Sequence, residues 1–149
     1  MSEFTISVTD GTSCKNYDEV RTFIFNSLRE QDIVKASWLD ALREREAEYP
    51  TGIALDGYAV AIPHCASENA NRPAVFIVRV PEAVEVDEAD GDGKLWVNLI
   101  ISLVVTDPAD QLQMLKSLFN HLQIEDFYQK LLNLPAKEAE ALFISTIIH

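Results

Sequence analysis

Cysteine, basic side chains and long apolar runs are all scarce in this chain of 149 residues, and each scarcity excludes a class of protein. The two cysteines, Cys14 and Cys65, lie far apart without a CxxC spacing, so a disulfide framework is not indicated and a reducing cytosol fits best. Lysine and arginine number 12 against 24 acidic residues, which gives a formal net charge of −12. Such a surface repels phosphate backbones and anionic lipids, so neither nucleic acid nor a membrane is expected as a partner.

No apolar run is long enough to cross a bilayer. The longest, residues 95–105, is interrupted by Asn98 and Ser102 and falls far short of the roughly 20 residues that a membrane helix needs. Residues 1–4 lack the basic start and apolar stretch of a signal peptide, so we expect a cytoplasmic protein. Apolar residues still make up 48% of the sequence, which predicts one hydrophobic core and one domain over residues 1–149.

Hydrophobic periodicity predicts a mixture of strands and helices. The predicted strands cover residues 4–8, 58–62, 74–80 and 95–105. The predicted helices include residues 20–28 and 38–49, and cover residues 108–122, 125–132 and 135–148. Residues 51–57 are predicted to form a loop, and the acidic stretch between the last two strands a hairpin or an extended turn. This order predicts a single three-layer α/β domain, in which a mixed β-sheet is flanked by helices on both faces.

His64 is the residue best placed to carry chemistry. It directly follows a predicted strand that ends at Pro63, which has no N–H to extend a ladder of hydrogen bonds. Its imidazole should therefore emerge at the carboxyl edge of a sheet, where α/β proteins commonly have their sites. A histidine pKa of about 6.5 leaves much of the ring neutral and nucleophilic near pH 7. The alternative is a histidine that only caps the strand end through a hydrogen bond.

Arg45 is the candidate partner of His64. The predicted buried stripe of its helix consists of Trp38, Leu39 and Leu42, and Arg45 falls roughly 65° from the centre of that stripe. A guanidinium at the inward-facing end of a helix can clamp a phosphoryl group with two hydrogen bonds. The alternative is a surface ion pair with Glu48, three residues further along the helix.

Three residues near Arg45 have two interpretations each. Thr51 and Gly52 could offer a hydroxyl and a backbone N–H to phosphate oxygens, or they could only shape the loop that contains them. Glu46 could orient the site or make a local salt bridge, and we favour the salt bridge.

Two segments carry a resemblance to a known family: residues 45–53 (REAEYPTGI) and residues 58–65 (YAVAIPHC). They resemble the signature of IIA domains of the mannitol/fructose class of sugar phosphotransferase systems, in which an Arg-Glu pair and a Thr-Gly loop precede Ile-Ala-Ile-Pro-His. The resemblance extends over essentially the whole chain, and the sequence of these two segments is most similar to that of the galactitol-specific IIA proteins. It implies that His64 takes a phosphoryl group from HPr and that Arg45 is the active-site arginine.

The chain departs from the broader family at Gln111. Many members carry a second histidine at this place, near the start of a helix. The predicted buried stripe of that helix consists of Leu112, Leu115, Leu118, Phe119 and Leu122. Gln111 lies about 45° from the centre of this stripe and His121 about 125° away. By the resemblance, Gln111 occupies the position and can donate a hydrogen bond to a phosphoryl oxygen, and His121 is predicted to be a solvated helix residue.

The resemblance implies a phosphocarrier with phospho-HPr as donor and a cysteine of a cognate IIB protein as acceptor, which in turn feeds a membrane IIC transporter. A different class of function is a regulatory module of the same fold, phosphorylated on His64, that controls a partner protein by contact. The sugar itself is not determined by this chain's own chemistry, because specificity resides mainly in the membrane component.

Neither a cofactor nor a metal is expected. Residues 88–93 partly match the pattern of a calcium-binding loop. Such a loop requires an acidic residue at its twelfth position, and here that position is Leu99. His64, His121 and His149 do not have a spacing typical of zinc ligands. Cys65 stands beside His64 and could suggest thiol chemistry, yet adjacent residues at a strand exit usually point apart.

Overall fold

Strands and helices alternate along the described part of the chain, which in this computed structural model comprises residues 4–11, 13–91 and 93–148. The strands are β1 (Thr5–Asp10), β2 (Gly52–Ala54), β3 (Ala59–Ala61), β4 (Ala74–Asp87) and β5 (Lys94–Val104). The α-helices are α1 (Tyr17–Glu30), α2 (Trp38–Glu48), α3 (Pro108–Leu122), α4 (Glu125–Asn133) and α5 (Ala136–Phe143). Asp92 of the acidic stretch and His149 lie outside the described residues, as do residues 1–3.

The strands form a sheet of order β1-β4-β5-β3-β2. β1 pairs with β4 and β3 with β5 in parallel, whereas the β4–β5 and β2–β3 pairs are antiparallel. The central strands β4 and β5 are rich in Val, Ile and Leu because helices bury the sheet on both faces. The predicted mixed sheet is confirmed, and the acidic stretch joins its two central strands.

Helices α1 and α2 cover one face of the sheet and helices α3, α4 and α5 the other. The first layer buries Ile24, Leu28, Trp38 and Leu42 against Val78 and Ile100. The second layer buries Leu118, Leu131 and Phe143 against Ile77 and Ile101. These two cores confirm the predicted three-layer architecture. No helix in the described ranges is long and apolar enough to span a bilayer.

Local sequence signals explain where the helices begin. The side chain of Asn16 accepts a hydrogen bond from the N–H of Glu19 and caps α1. Asp107 does the same for Ala109 at the start of α3, where Pro108 occupies the first turn without losing a hydrogen bond. The last predicted helix is divided: α5 ends at Phe143, and a π-helical turn over Ile144–Ile148 follows.

The predicted loop over residues 51–57 is wrong in part, because it contains the short strand β2. β4 also runs beyond the predicted end at residue 80, after an irregularity in its pairing with β5 between Arg79 and Val84. The end of β4 returns to β2, where Gly52 pairs with Glu88. A Cβ atom at Gly52 would lie 2.5 Å from the carbonyl oxygen of Asp87, so the close approach of these two segments requires glycine.

The buried stripe of α3 differs from the predicted one. Met114, Leu118 and Leu122 are buried, whereas Leu112 and Phe119 are 58% and 46% exposed. The prediction counted every leucine and phenylalanine as core and passed over the methionine. The true stripe is rotated, which leaves an apolar surface on the outer side of α3.

At the outer edge of the sheet, the backbone N–H of Val8 in β1 donates a hydrogen bond to a carboxylate oxygen of Glu140 at 2.9 Å. Glu140 belongs to α5, which packs along β1. A side chain thus occupies a backbone donor that a neighbouring strand would otherwise use.

Candidate active site

His64 follows β3 at the sheet edge where β3 and β5, being parallel, both end. Two backbone hydrogen bonds fix the chain between β3 and the histidine. Ile62 donates its N–H to the carbonyl of Thr51 at 3.2 Å, and Leu103 of β5 donates to the carbonyl of Pro63 at 3.1 Å. His64 is therefore held at the carboxyl edge of the sheet, as the sequence predicts.

One hydrogen bond determines which nitrogen of the His64 ring is free. Nδ1 lies 2.8 Å from the carbonyl oxygen of Ile62. A carbonyl oxygen can only accept, so Nδ1 carries the proton of the neutral ring and Nε2 keeps its lone pair. The hydrogen bond that the alternative interpretation assigns to capping of the strand end is therefore present. The same hydrogen bond keeps the proton on Nδ1 and leaves the Nε2 lone pair as the nucleophile.

The surroundings of His64 favour its neutral form. Burial of the ring lowers its pKa below the usual value of 6.5, and the Arg45 cation lowers it further. The hydrogen bond with Ile62 and the charge of Glu46 act in the opposite direction, but burial is the largest effect. The imidazole is therefore predominantly neutral at pH 7.

Arg45 lies exposed in the last turn of α2, beside a groove that Cys65 and Ala66 also line. Its guanidinium carbon lies 4.8 Å from the centre of the Tyr49 ring. Within the described ranges no carboxylate forms an ion pair with Arg45, so the alternative pairing with Glu48 is not formed. The guanidinium lies over an aromatic ring, and its charge is near enough to His64 to lower the pKa of that ring.

Arg43, on the same helix, has its guanidinium in an ion pair. Its Nε and Nη2 atoms each donate to Asp18 at 3.0 Å, so the fork is already occupied by a carboxylate. This ion pair lowers the pKa of Asp18. Two neighbouring arginines thus differ: Arg43 joins α2 to α1, and Arg45 forms no ion pair with a carboxylate of the described residues.

Glu46 is buried, with only 6% of its surface exposed, and it forms the salt bridge that we favoured, although its partner Arg21 lies on α1 and is not local in the sequence. It occupies the inward position one turn after Leu42, where the sequence pattern predicts an apolar side chain. Oε2 accepts hydrogen bonds from the hydroxyls of Tyr17 and Thr51, both at 2.7 Å, and Oε1 accepts one from Arg21 at 3.1 Å. Three donors from two other segments therefore compensate the desolvation of this carboxylate.

Thr51 and Gly52 both make structural contacts at the start of β2. Thr51 is buried, and its hydroxyl donates to Glu46. Gly52 pairs with Ala61 of β3, and its carbonyl accepts a hydrogen bond from the N–H of Ala89 at 2.8 Å. These contacts supply the loop-shaping role that the sequence left open, and a direct phosphate contact stays a prediction.

Gln111 is half-buried in the first turn of α3, directly after the sheet edge that holds His64. His121 lies near the far end of the same helix. It is not the solvated residue that we predicted, because Nδ1 of its half-buried ring lies 2.8 Å from the carbonyl of Ser117 and its ring centre lies 5.9 Å from that of Phe127. The structure therefore places Gln111, and not His121, at the His64 end of α3.

Cys65 has no accessible thiol. The residue is buried, and burial raises the pKa of its thiol to about 12, so it stays protonated at neutral pH. Over the ranges that the structure describes, no group of three or more His, Cys, Asp or Glu side chains could hold a metal ion.

Sequence reasoning missed two residues of this region, Tyr17 and Arg21. Both lie on α1 and contact Glu46. Their spacing of four residues places them on one face of the helix, which is a usable signal. Nothing in the sequence, however, says that this face meets a carboxylate of α2.

Comparisons with known proteins show the family of this chain. A profile of the family "Phosphoenolpyruvate-dependent sugar phosphotransferase system, EIIA 2" matches residues 5–146. The galactitol-specific EIIA component of Escherichia coli K12 is 37% identical over 141 residues, which cover 95% of this chain and 94% of that protein.

Two solved structures share the fold. The complex of enzyme IIA and phosphorylated enzyme IIB for mannitol from Escherichia coli matches with a TM-score of 0.71 and 18% identity, over 95% of this chain and 94% of the other. The nitrogen regulatory protein IIA-Ntr from Neisseria meningitidis matches with a TM-score of 0.73 and 25% identity, over 92% and 91%. The profile match and the 37% identity together show that the chain belongs to the EIIA 2 family of the phosphoenolpyruvate-dependent sugar phosphotransferase system.

Proposed function

We propose that this chain is the cytoplasmic IIA phosphocarrier of a phosphotransferase system for galactitol or a related polyol. His64 accepts a phosphoryl group from phospho-HPr and passes it to a cysteine of a cognate IIB protein, which supplies a membrane IIC transporter. The observation that carries the proposal is the 2.8 Å contact between Nδ1 of His64 and the Ile62 carbonyl, because it leaves Nε2 as the nucleophile. The 37% identity with a galactitol-specific component supports the choice of substrate.

The transfer step follows from the protonation state of the ring. The Nε2 lone pair attacks phosphorus in line with the bond to the donor histidine of HPr. As the new N–P bond forms, the old one breaks and its electron pair returns to the donor nitrogen. Nε2 has no proton to lose in the neutral ring, and Nδ1 keeps its proton on the Ile62 carbonyl throughout.

Arg45 supplies the positive charge that this step needs. Charge on the transferring group is spread over three equatorial oxygens, and a guanidinium can bind two of them at once. Because no carboxylate of the described chain pairs with Arg45, none has to be displaced first. Gln111 can add a neutral donor from the start of α3.

The apolar surface on the outer side of α3 is where we propose that the IIB protein docks. Leu112 and Phe119 are exposed there two turns apart, and the surface begins beside the sheet edge that holds His64. The structurally similar mannitol IIA enzyme has been solved in complex with its phosphorylated IIB enzyme, which supports an IIB protein as the partner to expect. Exposed apolar patches of this kind mark protein interfaces.

Phosphorylation in a reconstituted system tests the function. We expect enzyme I, HPr and phosphoenolpyruvate to add one phosphoryl group to this protein, in a bond that is labile in acid and stable in base. Adding a galactitol-type IIB protein should then discharge it within seconds and over repeated cycles. Intact-mass analysis follows both steps.

The discharge step also separates the carrier from the regulator. The similarity to a nitrogen regulatory IIA protein is the observation that favours a sensor, which would hold its phosphoryl group. A phosphorylated form that persists beside every polyol-type IIB protein would contradict the carrier and favour the sensor.

We expect Gln111→Ala to slow phosphoryl transfer about tenfold, the effect of losing one hydrogen bond of about 1.4 kcal/mol. His121→Gln should leave the rate unchanged, because His121 lies near the other end of α3. His64 should also titrate as a single site, since an amide does not ionise near neutrality. Both variants are measured in the same HPr-coupled assay. A slow His121→Gln beside an unaffected Gln111→Ala would show that the wrong residue has been assigned.

A further inference from the structure

Three hydrogen bonds connect Glu46 to His64 through the residues Thr51 and Ile62. The Thr51 hydroxyl donates to Glu46, the Ile62 N–H donates to the Thr51 carbonyl, and Nδ1 of His64 donates to the Ile62 carbonyl. We propose that Glu46 is a positioning residue for His64, which acts through Thr51 and Ile62 to hold the ring in its Nδ1–H tautomer. The inference rests on the proposed function insofar as that tautomer is the one that accepts the phosphoryl group.

The Glu46 end of this series is firmly anchored. Its carboxylate is buried and accepts hydrogen bonds from Tyr17 and Arg21 of α1 as well as from Thr51. Burial, together with the charge of Glu46, raises the pKa of Tyr17 well above its usual value, so this hydroxyl remains a donor at all relevant pH values. Charge-assisted hydrogen bonds are the strongest that side chains form, and here they fix Glu46 of α2 relative to α1 and to Thr51.

Thr51 connects the anchored Glu46 carboxylate to the backbone that precedes His64. Thr51 stands between the end of α2 and the start of β2, so its side chain is the contact that ties this segment to Glu46. Its carbonyl accepts the Ile62 N–H at 3.2 Å. Ile62 is thereby held at its N–H, and its carbonyl, which belongs to the next peptide group, accepts the hydrogen bond from Nδ1 of His64.

The hydrogen bond between His64 and Ile62 determines whether the ring can act as a nucleophile. When Nδ1 donates to Ile62, Nε2 has a free lone pair; when that hydrogen bond is lost, the proton can move to Nε2 and block it. A shift of Thr51 would therefore reduce transfer by changing the tautomer, with His64 and Arg45 both still present. This distinguishes positioning from a purely structural role.

Thr51→Val tests the proposal, because valine keeps the shape of threonine and removes the hydroxyl that donates to Glu46. We expect the ratio of the Nδ1–H to the Nε2–H tautomer of His64 to fall about tenfold, as for one weakened hydrogen bond. Long-range proton–nitrogen NMR spectra of the histidine rings measure this ratio in the unphosphorylated full chain. The rate of phosphoryl acceptance from phospho-HPr should fall in parallel.

Three further variants complete the test. Thr51→Ser keeps the hydroxyl and should restore both tautomer and rate, and Glu46→Gln should shift both in the same direction as Thr51→Val. Thr22→Val is the matched control, because it removes a threonine hydroxyl that donates to the Asp18 carbonyl within α1. It should change neither readout.

Two results would overturn the proposal. One is a folded Thr51→Val or Glu46→Gln protein, verified by urea unfolding, in which the His64 tautomer is that of the wild type. The other is a Thr51→Ser protein that is as impaired as Thr51→Val. The NMR readout requires no phosphoryl transfer, so a wild-type protein that HPr fails to phosphorylate would contradict the proposed function and leave this test intact.

Discussion

His64→Ala is expected to abolish phosphoryl acceptance while the domain remains folded. Nε2 of His64 is the proposed attacking atom, and the alanine variant has nothing that could replace it. Cys65, the neighbouring nucleophile, is a buried thiol whose pKa is raised to about 12. Intact-mass analysis after incubation with enzyme I, HPr and phosphoenolpyruvate measures the loss.

His121→Gln is the control for this experiment, because it removes another half-buried histidine and should still be labelled once. Equal labelling of His64→Ala and the wild type would contradict the assignment of His64 as the residue that accepts the phosphoryl group. The pH dependence offers an independent check. Because burial lowers the pKa of His64, acceptance should be constant above pH 7 and should decline only as the pH falls below its ordinary value of 6.5.

Arg45→Lys is expected to slow phosphoryl transfer about thirtyfold, which corresponds to about 2 kcal/mol in the barrier. Lysine keeps the charge but loses the planar fork that binds two phosphoryl oxygens at once. The unfolding free energy should change little, because Arg45 is exposed and in the described structure has no ion pair to lose. Single-turnover transfer from phospho-HPr and urea unfolding measure the two quantities separately.

Arg43→Lys is the matched control two residues away. It also loses a bidentate contact, the one with Asp18, but that contact joins α1 to α2 and already occupies the Arg43 guanidinium with a carboxylate. We expect a small loss of stability, within the range of exposed ion pairs, and an unchanged transfer rate. If Arg43→Lys impairs transfer more than Arg45→Lys, the roles assigned to the two arginines are wrong.

The architecture could be predicted because its signals are local. The Val, Ile and Leu runs of β4 and β5 and the caps of α1 and α3 lie within a few residues of the elements that they define. The short strand β2 could not be predicted in this way. Its three residues are ordered by pairing with β3 and by the return of the chain after β4, contacts that no local pattern encodes.

Burial of single residues was harder to predict than the elements themselves. Leu112 and Phe119 look like core residues and are exposed, because apolarity alone does not distinguish a core face from an exposed apolar face. Glu46 is the opposite case, a charged residue that is buried. A carboxylate at an inward helix position is tolerated only when donors converge on it, and here they come from α1 and from Thr51.

At each edge of the sheet, a backbone group is engaged by another part of the same chain. A free edge strand presents unpaired N–H and C=O groups and is a template for aggregation. In β1, the Glu140 carboxylate already holds the Val8 N–H, and a foreign strand would have to displace this charge. In β2, the Gly52 carbonyl is taken by Ala89 of the same chain. Addition of a foreign strand at either edge would have to displace one of these contacts, which disfavours aggregation through the edges of the sheet.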